Sequence, residues 1–343
     1  MRDTYTISEL CQALRVSKSG YHAARRRTPG PHQRSNERLL VAISEIHRHR
    51  HKRCYGSPRM TKELQDRGHA CSPKRVARLM RVAGLRARPR QPFRPKTTRP
   101  DHAANPSPNL LAAADPPSAP GTHLVSDITY IPTREGWLYL AVVLDIFSRR
   151  ILGWKVDETM QSSLVTTALR RAFDTGTVAK QAIFHCDRGS QYSSATTRQL
   201  LARFGWRQSM SALGYCYDNA FAESFFASLK TELLPEDGTF DSKAAARSAI
   251  FDYLEGFYNR HRLHSALGYL SPLIFLTRYF HNQQNQLNSN HPDCAYVVHF
   301  FGGRPEALCE FGVDLCLHNG GRLWAGAVWG NFTEPVFFIR VFL

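Results

Sequence analysis

The sequence predicts an α/β protein with a mixed five-stranded sheet flanked by helices, preceded by an all-α region. The first hundred residues carry helical patterns, and a segment that holds nine of the 19 prolines (88–121) follows them. Beyond this segment, β-favouring and helical stretches alternate in the order β-β-β-α-β-α-β-α. That order is typical of a sheet with helices on its faces.

The first thirty residues are predicted to form a helix-turn-helix (1–30). Ile7, Leu10 and Leu14 recur at helical spacing, and Ser17 is suited to cap a second helix. In a helix-turn-helix the second helix enters the DNA groove. We therefore expect Lys18 to contact DNA.

Residues 31–87 are predicted to form a second helical, helix-turn-helix-like unit that binds DNA. The stretches SPRMTKELQDRG and SPKRVARLMRVAG each begin with Ser-Pro and end with Gly, so Ser57 and Ser72 are the predicted N-caps. Basic side chains line the second of these helices and are candidate phosphate contacts. They are Lys74, Arg75 and Arg78.

The histidines and cysteines do not predict a metal site. The eight cysteines are scattered without a C-x-x-C pair, which indicates reduced thiols rather than a disulfide framework or a zinc site. In HRHRHKR (47–53) the histidines alternate, a poor spacing for ligands on a helix. We predict a solvated or phosphate-facing basic run there.

The distribution of charge predicts nucleic acid as the partner. Residues 1–100 hold 25 Lys and Arg against 6 Asp and Glu, whereas the other residues hold 20 against 22. Such a basic block typically meets a polyanion. The longest apolar run, LYLAVVL (138–144), is far shorter than the roughly 20 residues of a membrane span, and no secretory signal is visible. We expect a cytoplasmic, nucleoid-associated protein without a membrane partner.

Residues 88–121 are predicted to be an extended linker between two independently packed units. Residues 122–282 are predicted to form the α/β unit. In the α/β unit, HLVSDITYI, WLYLAVVLD and ILGWKV predict an antiparallel meander of three strands. AIFHC predicts a fourth strand, and a fifth lies near Gln208. Helices are predicted at 162–173, 195–204 and 219–233.

Three acidic residues are the candidate catalytic and metal-binding groups. Asp127 lies inside the first strand, Asp187 closes the fourth, and Glu223 lies one turn into the last helix. If the first and fourth strands are adjacent, the carboxylates meet, and their repulsion requires a cation or retained protons. Oxygen ligands suit Mg²⁺ or Mn²⁺, and two such ions support phosphodiester chemistry. The pattern therefore predicts strand cutting or joining.

The last helix carries further candidates on the face of Glu223. Asn219, Glu223, Phe226 and Lys230 share one side of a helix. Lys230 is suited to anchor a DNA phosphate beside the ions. An ordinary surface lysine remains the alternative at this position.

Several motifs resemble the catalytic OrfB proteins of bacterial insertion-sequence transposases of the IS-three family, which are relatives of retroviral integrases. The motifs are SDITYI, GWLYLAVVLDIFSRRILGW, HCDRGSQYSS, YDNAFAESFFASLKTELL and YNRHRLHSALGYLSP, and 35 residues separate Asp187 from Glu223. The resemblance implies a ribonuclease-H-like fold in which Asp127, Asp187 and Glu223 hold divalent ions. It implies that water nicks the element ends and that the freed 3′ hydroxyl attacks a second phosphodiester.

The resemblance also implies partners and DNA contacts. Lys230 matches a residue that contacts end DNA, and Arg260 lies in a basic segment, while Asn219 and Arg188 are further candidate contacts. The expected partners are the terminal inverted repeats, target DNA, further copies of the chain on DNA, and an upstream reading frame. The zinc-binding arrangement of retroviral integrases is not present in the sequence.

Residues 283–343 match no family pattern, and we interpret them as an atypical extension, produced by read-through or a frameshift. This extension favours an alternative function, a non-catalytic DNA-binding remnant of a degenerate element. A nuclease that cuts RNA in hybrids is a further alternative. The basic helical units argue against it.

Overall fold

The structure, a computed structural model, describes residues 5–26, 28–88, 107–211 and 219–290, with two short strands further on. The first part of the chain is helical. Its helices are α1 (Ile7–Ala13), α2 (Lys18–Arg26), α3 (Pro31–Arg48), α4 (Ser57–Asp66) and α5 (Pro73–Val82). The prediction of an all-α region before the sheet is confirmed.

The sheet strands and the later helices follow in chain order. The strands are β1 (His123–Thr133), β2 (Gly136–Asp145), β3 (Ile151–Asp157), β4 (Ile183–Cys186) and β5 (Arg207–Met210). The helices are α6 (Ser162–Asp174), α7 (Ser190–Ser193), α8 (Ala195–Phe204), α9 (Ala220–Leu233), α10 (Lys243–Phe251), α11 (Asn259–His261) and α12 (Pro272–Asn290). A π-helical segment, Asp252–Tyr258, joins α10 to α11.

The chain divides into two compact units, Met1–Arg278 and Tyr279–Leu343. In the second unit, β6 (Gly326–Ala327) and β7 (Phe337–Phe338) form an antiparallel pair. Most of the predicted linker (89–106) and most of the predicted extension (from 291) lie outside the described residues.

The sheet has the order β3-β2-β1-β4-β5. β1, β2 and β3 form the predicted antiparallel meander, and β4 pairs in parallel with both β1 and β5. The mixed five-stranded sheet is therefore confirmed. The parallel pairing places the end of β4 beside the middle of β1.

Alternate residues of β1 pack on opposite faces of the sheet. Leu124 and Ile128 contact the core that α6 and α8 cover, whereas Val125 and Ile131 contact the core that α9 covers. Gly153 of β3 allows a close approach of α6, because a Cβ atom there would lie 2.1 Å from the Ala168 carbonyl oxygen. Asp127 shares the parity of Val125, so its side chain belongs to the α9 face.

The second helical unit shares this α9-face core with the sheet. Ile43, Met60 and Val76 belong to the same apolar cluster as Val125 and Leu229. The prediction of two independently packed units is therefore wrong. The apolar stripes of α3, α4 and α5 are buried, but part of what covers them comes from the α/β unit.

Two local predictions also need correction. The N-cap of α4 is Gly56 rather than Ser57, which is the first helical residue. The basic run at 47–53 is not solvated throughout, because His51 is only 6% exposed and its ring lies 4.9 Å from that of Phe257. The predicted cap of α5 is confirmed, since the Ser72 hydroxyl accepts a hydrogen bond from the Arg75 N–H.

No described helix combines the length and the apolar character that a membrane span requires.

Candidate active site

Asp127 lies in β1, and Asp187 directly follows the adjacent parallel strand β4 at the matching register position. The register pairs His123 with Ile183 and Val125 with His185, and each aspartate follows two residues after the second pair. Each carboxylate accepts a local backbone hydrogen bond, Asp127 from Ile128 at 2.7 Å and Asp187 from Gly189 at 3.0 Å. Both side chains are half-buried.

Glu223 reaches the same region from α9. This helix packs on the sheet through Ala222, Phe226 and Leu229, which leaves Glu223 in its first turn with an exposed side chain. Glu223 lies close enough to Asp127 to raise the pKa of that carboxyl group. The structure therefore brings the three predicted acidic residues into one region, beside the carboxyl end of β4.

The surroundings of Asp127 disfavour the charged form of its carboxyl group. Burial of the carboxylate and the neighbouring charge of Asp187 raise the pKa of Asp127 to about 8, and Glu223 adds to the increase. The Ile128 hydrogen bond and Lys230 act in the opposite direction. A second negative charge near Asp127 is thus unfavourable unless a cation or a proton balances it.

Lys230 lies on the side of α9 that carries Glu223. The two residues are seven positions apart, which is close to two helical turns. Burial lowers the pKa of Lys230 to about 8, while Asp127 acts to raise it. The ammonium group is therefore partly withdrawn from solvent and within electrostatic reach of Asp127.

Asn219 is the N-cap residue of α9, one turn before Glu223. Its side chain makes no capping hydrogen bond, and the residue is only 8% exposed. The buried Oδ1 atom has no hydrogen-bond partner among the residues that the structure describes. A buried acceptor of this kind, one helical turn before Glu223, is a candidate ligand for a bound cation, its water or a DNA donor.

The donor set fits a hard divalent cation, although the described residues contain no three His, Cys, Asp or Glu side chains close enough to hold a metal ion together. Mg²⁺ is commonly bound by one or two carboxylates, waters and substrate phosphates rather than by a closed protein cage. The placement of Asp127 beside Asp187 favours such an ion here, because a cation neutralises two neighbouring carboxylates. Their repulsion adds to burial, which is the largest cause of the raised pKa of Asp127.

The other predicted DNA contacts differ in their surroundings. Lys18, Lys74, Arg78 and Arg260 are exposed. Arg75 is bound within the second helical unit, where it donates to Asn36 at 2.8 Å and to Ser35 at 2.9 Å. Arg188 donates from Nε to the Ser211 carbonyl oxygen at 2.8 Å, so it braces the segment after β5.

Sequence reasoning missed two sets of residues that support this site. Behind the aspartates, the Ser126 and Tyr192 hydroxyls are 2.9 Å apart and fully buried. Further along α9, Glu232 is 2% exposed and pairs with buried Arg262. A buried carboxylate and an exposed one look alike in sequence.

Known proteins resemble this chain over most of its length. Residues 117–216 and 204–272 match two families that are both described as Integrase core domain, and 34–93 match the HTH-like domain. The chain is 40% identical over 277 residues to Transposase InsF for insertion sequence IS3A from Escherichia coli (strain K12), with 79% of this chain and 94% of that protein covered.

Two further similarities extend the comparison. The Insertion element IS600 uncharacterized 31 kDa protein from Shigella sonnei is 38% identical over 270 residues, which cover 79% of this chain and 98% of that protein. The catalytic core domain of BIV integrase aligns with 48% of this chain and 99% of its own, at 17% identity and a TM-score of 0.36. That structural similarity is too low to add to the sequence relationship.

Proposed function

We propose a reaction for this chain from the premise that it belongs to the IS3 family of insertion-sequence transposases. It catalyses metal-dependent nicking at the 3′ ends of an insertion element and transfers those ends to a second DNA strand. Asp127, Asp187 and Glu223 are the catalytic residues and the ligands of the divalent ions, Mg²⁺ or Mn²⁺. Two ions are proposed.

One observation carries the proposal, namely that Asp127 is held beside Asp187 and Glu223 with its pKa raised to about 8. Burial is the largest cause of that increase, and the charges of Asp187 and Glu223 add to it, so a divalent cation at this place would relieve the repulsion among the carboxylates. When bound, the ions would activate the attacking hydroxyl and stabilise the leaving 3′ oxygen. The carboxylates would hold these ions beside the carboxyl end of β4.

The remaining residues would bind and orient DNA. Lys230 lies beside the acidic residues and would hold a backbone phosphate near them, and Asn219 would offer its open acceptor one turn before Glu223. Arg188 would act from the neighbouring loop. The basic helical region would hold the flanking duplex through residues that include Lys18, Lys74, Arg75 and Arg78. Arg260 of the α/β unit would contact the same duplex.

The proposed partners are the double-stranded inverted repeats at the element ends and the target DNA. A synaptic reaction joins two ends, so we propose that several copies of the chain act together on DNA. An upstream reading frame is a proposed partner or fusion. The proposed place of action is the bacterial cytoplasm, at the nucleoid.

The test uses Asp127→Asn, Asp187→Asn and Glu223→Gln in the full chain. Each change removes a charge at constant size, and each is expected to abolish Mg²⁺- or Mn²⁺-dependent nicking and joining of a terminal-repeat oligonucleotide while DNA binding persists. Asp174→Asn, at an exposed position at the end of α6, is the matched control with full activity expected. Full activity in any of the three variants would refute the assignment. Binding without joining by the unmodified chain would instead favour a non-catalytic remnant.

A further inference from the structure

The C-terminal end of α9 is enclosed by the second helical unit. By the last turn of this helix, backbone carbonyl groups have no partners within the helix and need external donors. Here the donors come from residues 51–54 of that unit and from Arg88, which directly follows it, and both lie far from α9 in sequence. The helix that carries Glu223 and Lys230 is therefore held by the unit that is predicted to bind DNA.

Arg88 supplies most of these hydrogen bonds. Its guanidinium donates to the Leu234 carbonyl oxygen at 2.6 Å, to that of Pro235 at 2.8 Å and to that of Thr231 at 3.4 Å. A cation at this end of a helix also interacts favourably with the helix dipole. The Cys54 thiol adds a donor to the Thr231 carbonyl, and the His51 ring lies 3.4 Å from the Glu232 carbonyl oxygen.

The side chain of Glu232 forms a second connection in the same place. Arg262 donates to it from Nε and Nη2, each at 2.8 Å, and both side chains are almost fully buried. The Tyr253 hydroxyl donates to the same carboxylate at 2.8 Å, and Arg59 of α4 lies 3.7 Å away. Burial alone would lower the pKa of Arg262, but the charge of Glu232 outweighs it and raises that pKa.

The geometry places this connection on the opposite side of α9 from the candidate active site. Glu232 follows Glu223 by nine residues, which is two and a half turns and about 13 Å along the axis. Glu223 and Lys230 thus face the aspartates, while Glu232 faces Arg59 and Arg262. A rotation of the helix that brought Glu223 away from Asp127 would break a buried bidentate ion pair and leave two buried charges without partners, which is strongly unfavourable.

We propose that Arg88, Glu232 and Arg262 are positioning residues that clamp α9, so that DNA bound to the second helical unit stabilises the helix that carries Glu223 and Lys230. This inference rests on the proposed function for its catalytic consequence. Its structural part, the dependence of α9 on the second unit and on DNA, is independent of any reaction.

The structural part is tested by amide hydrogen exchange in the full chain carrying Asp127→Asn, which is not expected to cut DNA. Duplex DNA at low ionic strength is the probe, because electrostatic binding needs no particular sequence. DNA is expected to slow exchange in α9 peptides, with α6 peptides as the internal reference. Adding Arg88→Ala is expected to speed α9 exchange about tenfold without DNA, since it removes hydrogen bonds from a charged donor, and to abolish the effect of DNA.

Arg86→Ala is the matched control. Arg86 lies two residues before Arg88, its side chain is exposed, and its replacement removes the same charge. Its α9 exchange is expected to equal that of the parent. Equal exchange in the Arg88 and Arg86 variants, or α9 exchange in the parent that DNA does not change, would overturn the clamp. Glu232→Gln is the second variant and is expected to speed exchange in the same peptides.

The catalytic part is tested in the otherwise unmodified chain. Arg88→Ala is expected to lower the nicking rate about tenfold at saturating DNA and to raise the Mg²⁺ concentration required for half-maximal rate, because a displaced Glu223 binds the ion less well. Arg86→Ala is expected to change neither. Unchanged metal dependence in the Arg88 variant would overturn the positioning role. Cutting by Asp127→Asn would instead refute the proposed function and leave the exchange result valid.

Discussion

The guanidinium of Arg149 lies 4.1 Å from the centroid of the Phe221 ring. Phe221 belongs to the first turn of α9, two residues before Glu223, and Arg149 lies in the turn that follows β2 with a φ angle of 62°. Burial lowers the pKa of Arg149, yet an arginine remains charged in proteins. The start of α9 is therefore held against the sheet by a cation–π contact.

This contact predicts that Arg149→Met lowers the nicking rate while the protein remains folded. Methionine keeps much of the apolar stem, so the free energy of unfolding is expected to fall by about 0.5–2 kcal/mol, the range of such contacts. Displacement of the first turn moves Glu223, which lowers the nicking rate. Arg171→Met is the control, because Arg171 makes a similar contact with Trp154 at 5.4 Å on the surface of α6. Equal loss of activity in both variants would contradict the prediction.

The raised pKa of Asp127 predicts that the metal-free protein loses stability as the pH rises. An unfolded aspartate ionises near pH 4, whereas burial, Asp187 and Glu223 raise the pKa of Asp127 to about 8. Between these values the unfolded state has released a proton that the folded state retains, so the free energy of unfolding falls. Asp127→Asn is expected to flatten this decline in thermal melts with a chelator. If the stability of Asp127→Asn fell with pH as steeply as that of the control Asp174→Asn, the raised pKa of Asp127 would be refuted.

Lys230 is predicted to contribute one phosphate contact. Lys230→Gln is expected to lower DNA affinity and to reduce the slope of log affinity against log salt concentration by about one. Lys180→Gln, at an exposed position before β4, removes the same charge and is expected to leave the slope unchanged. Fluorescence anisotropy with labelled duplex DNA at several salt concentrations measures both slopes. Identical slopes for the two variants would mean that Lys230 does not touch DNA.

The two helix caps predict different costs of truncation to alanine. The Ser72 hydroxyl accepts from the Arg75 N–H, so Ser72→Ala is expected to cost about 1 kcal/mol of unfolding free energy. Asn219 makes no capping bond, and Asn219→Ala is expected to cost less than about 0.5 kcal/mol while DNA binding weakens. Urea unfolding measures both. An equal cost at the two positions would show that the Asn219 side chain is already held.

The topology that assembles the aspartates was predictable from sequence. A meander followed by a parallel strand allows the first and fourth strands to be neighbours, and this places Asp127 and Asp187 side by side. The helical face that carries Glu223 and Lys230 follows from the period of an α-helix. Short-range rules were therefore sufficient for the centre of the candidate site. They also gave the cap of α5 at Ser72, where side chain and backbone are close in sequence.

The clamp on α9 was not predictable in this way. Glu232 and Arg262 are 30 residues apart, and each occurs among other charged or polar residues. In the sequence, a charged residue that is buried with an oppositely charged partner cannot be distinguished from a charged residue that is exposed to solvent. The same limit explains His51, which looked like part of a basic surface run but packs against Phe257. Only the tertiary structure identifies the partners of such groups.

The shared core also sets an order for biosynthesis. The Tyr55 hydroxyl, fully buried, accepts a hydrogen bond from the backbone of Leu263, 208 residues later in the chain. Because synthesis proceeds from the amino terminus, a ribosome must translate nearly the whole first unit before Tyr55 is covered. A nascent or prematurely terminated chain therefore presents an incomplete apolar surface to chaperones and proteases. Only a finished chain would therefore carry the assembled candidate site.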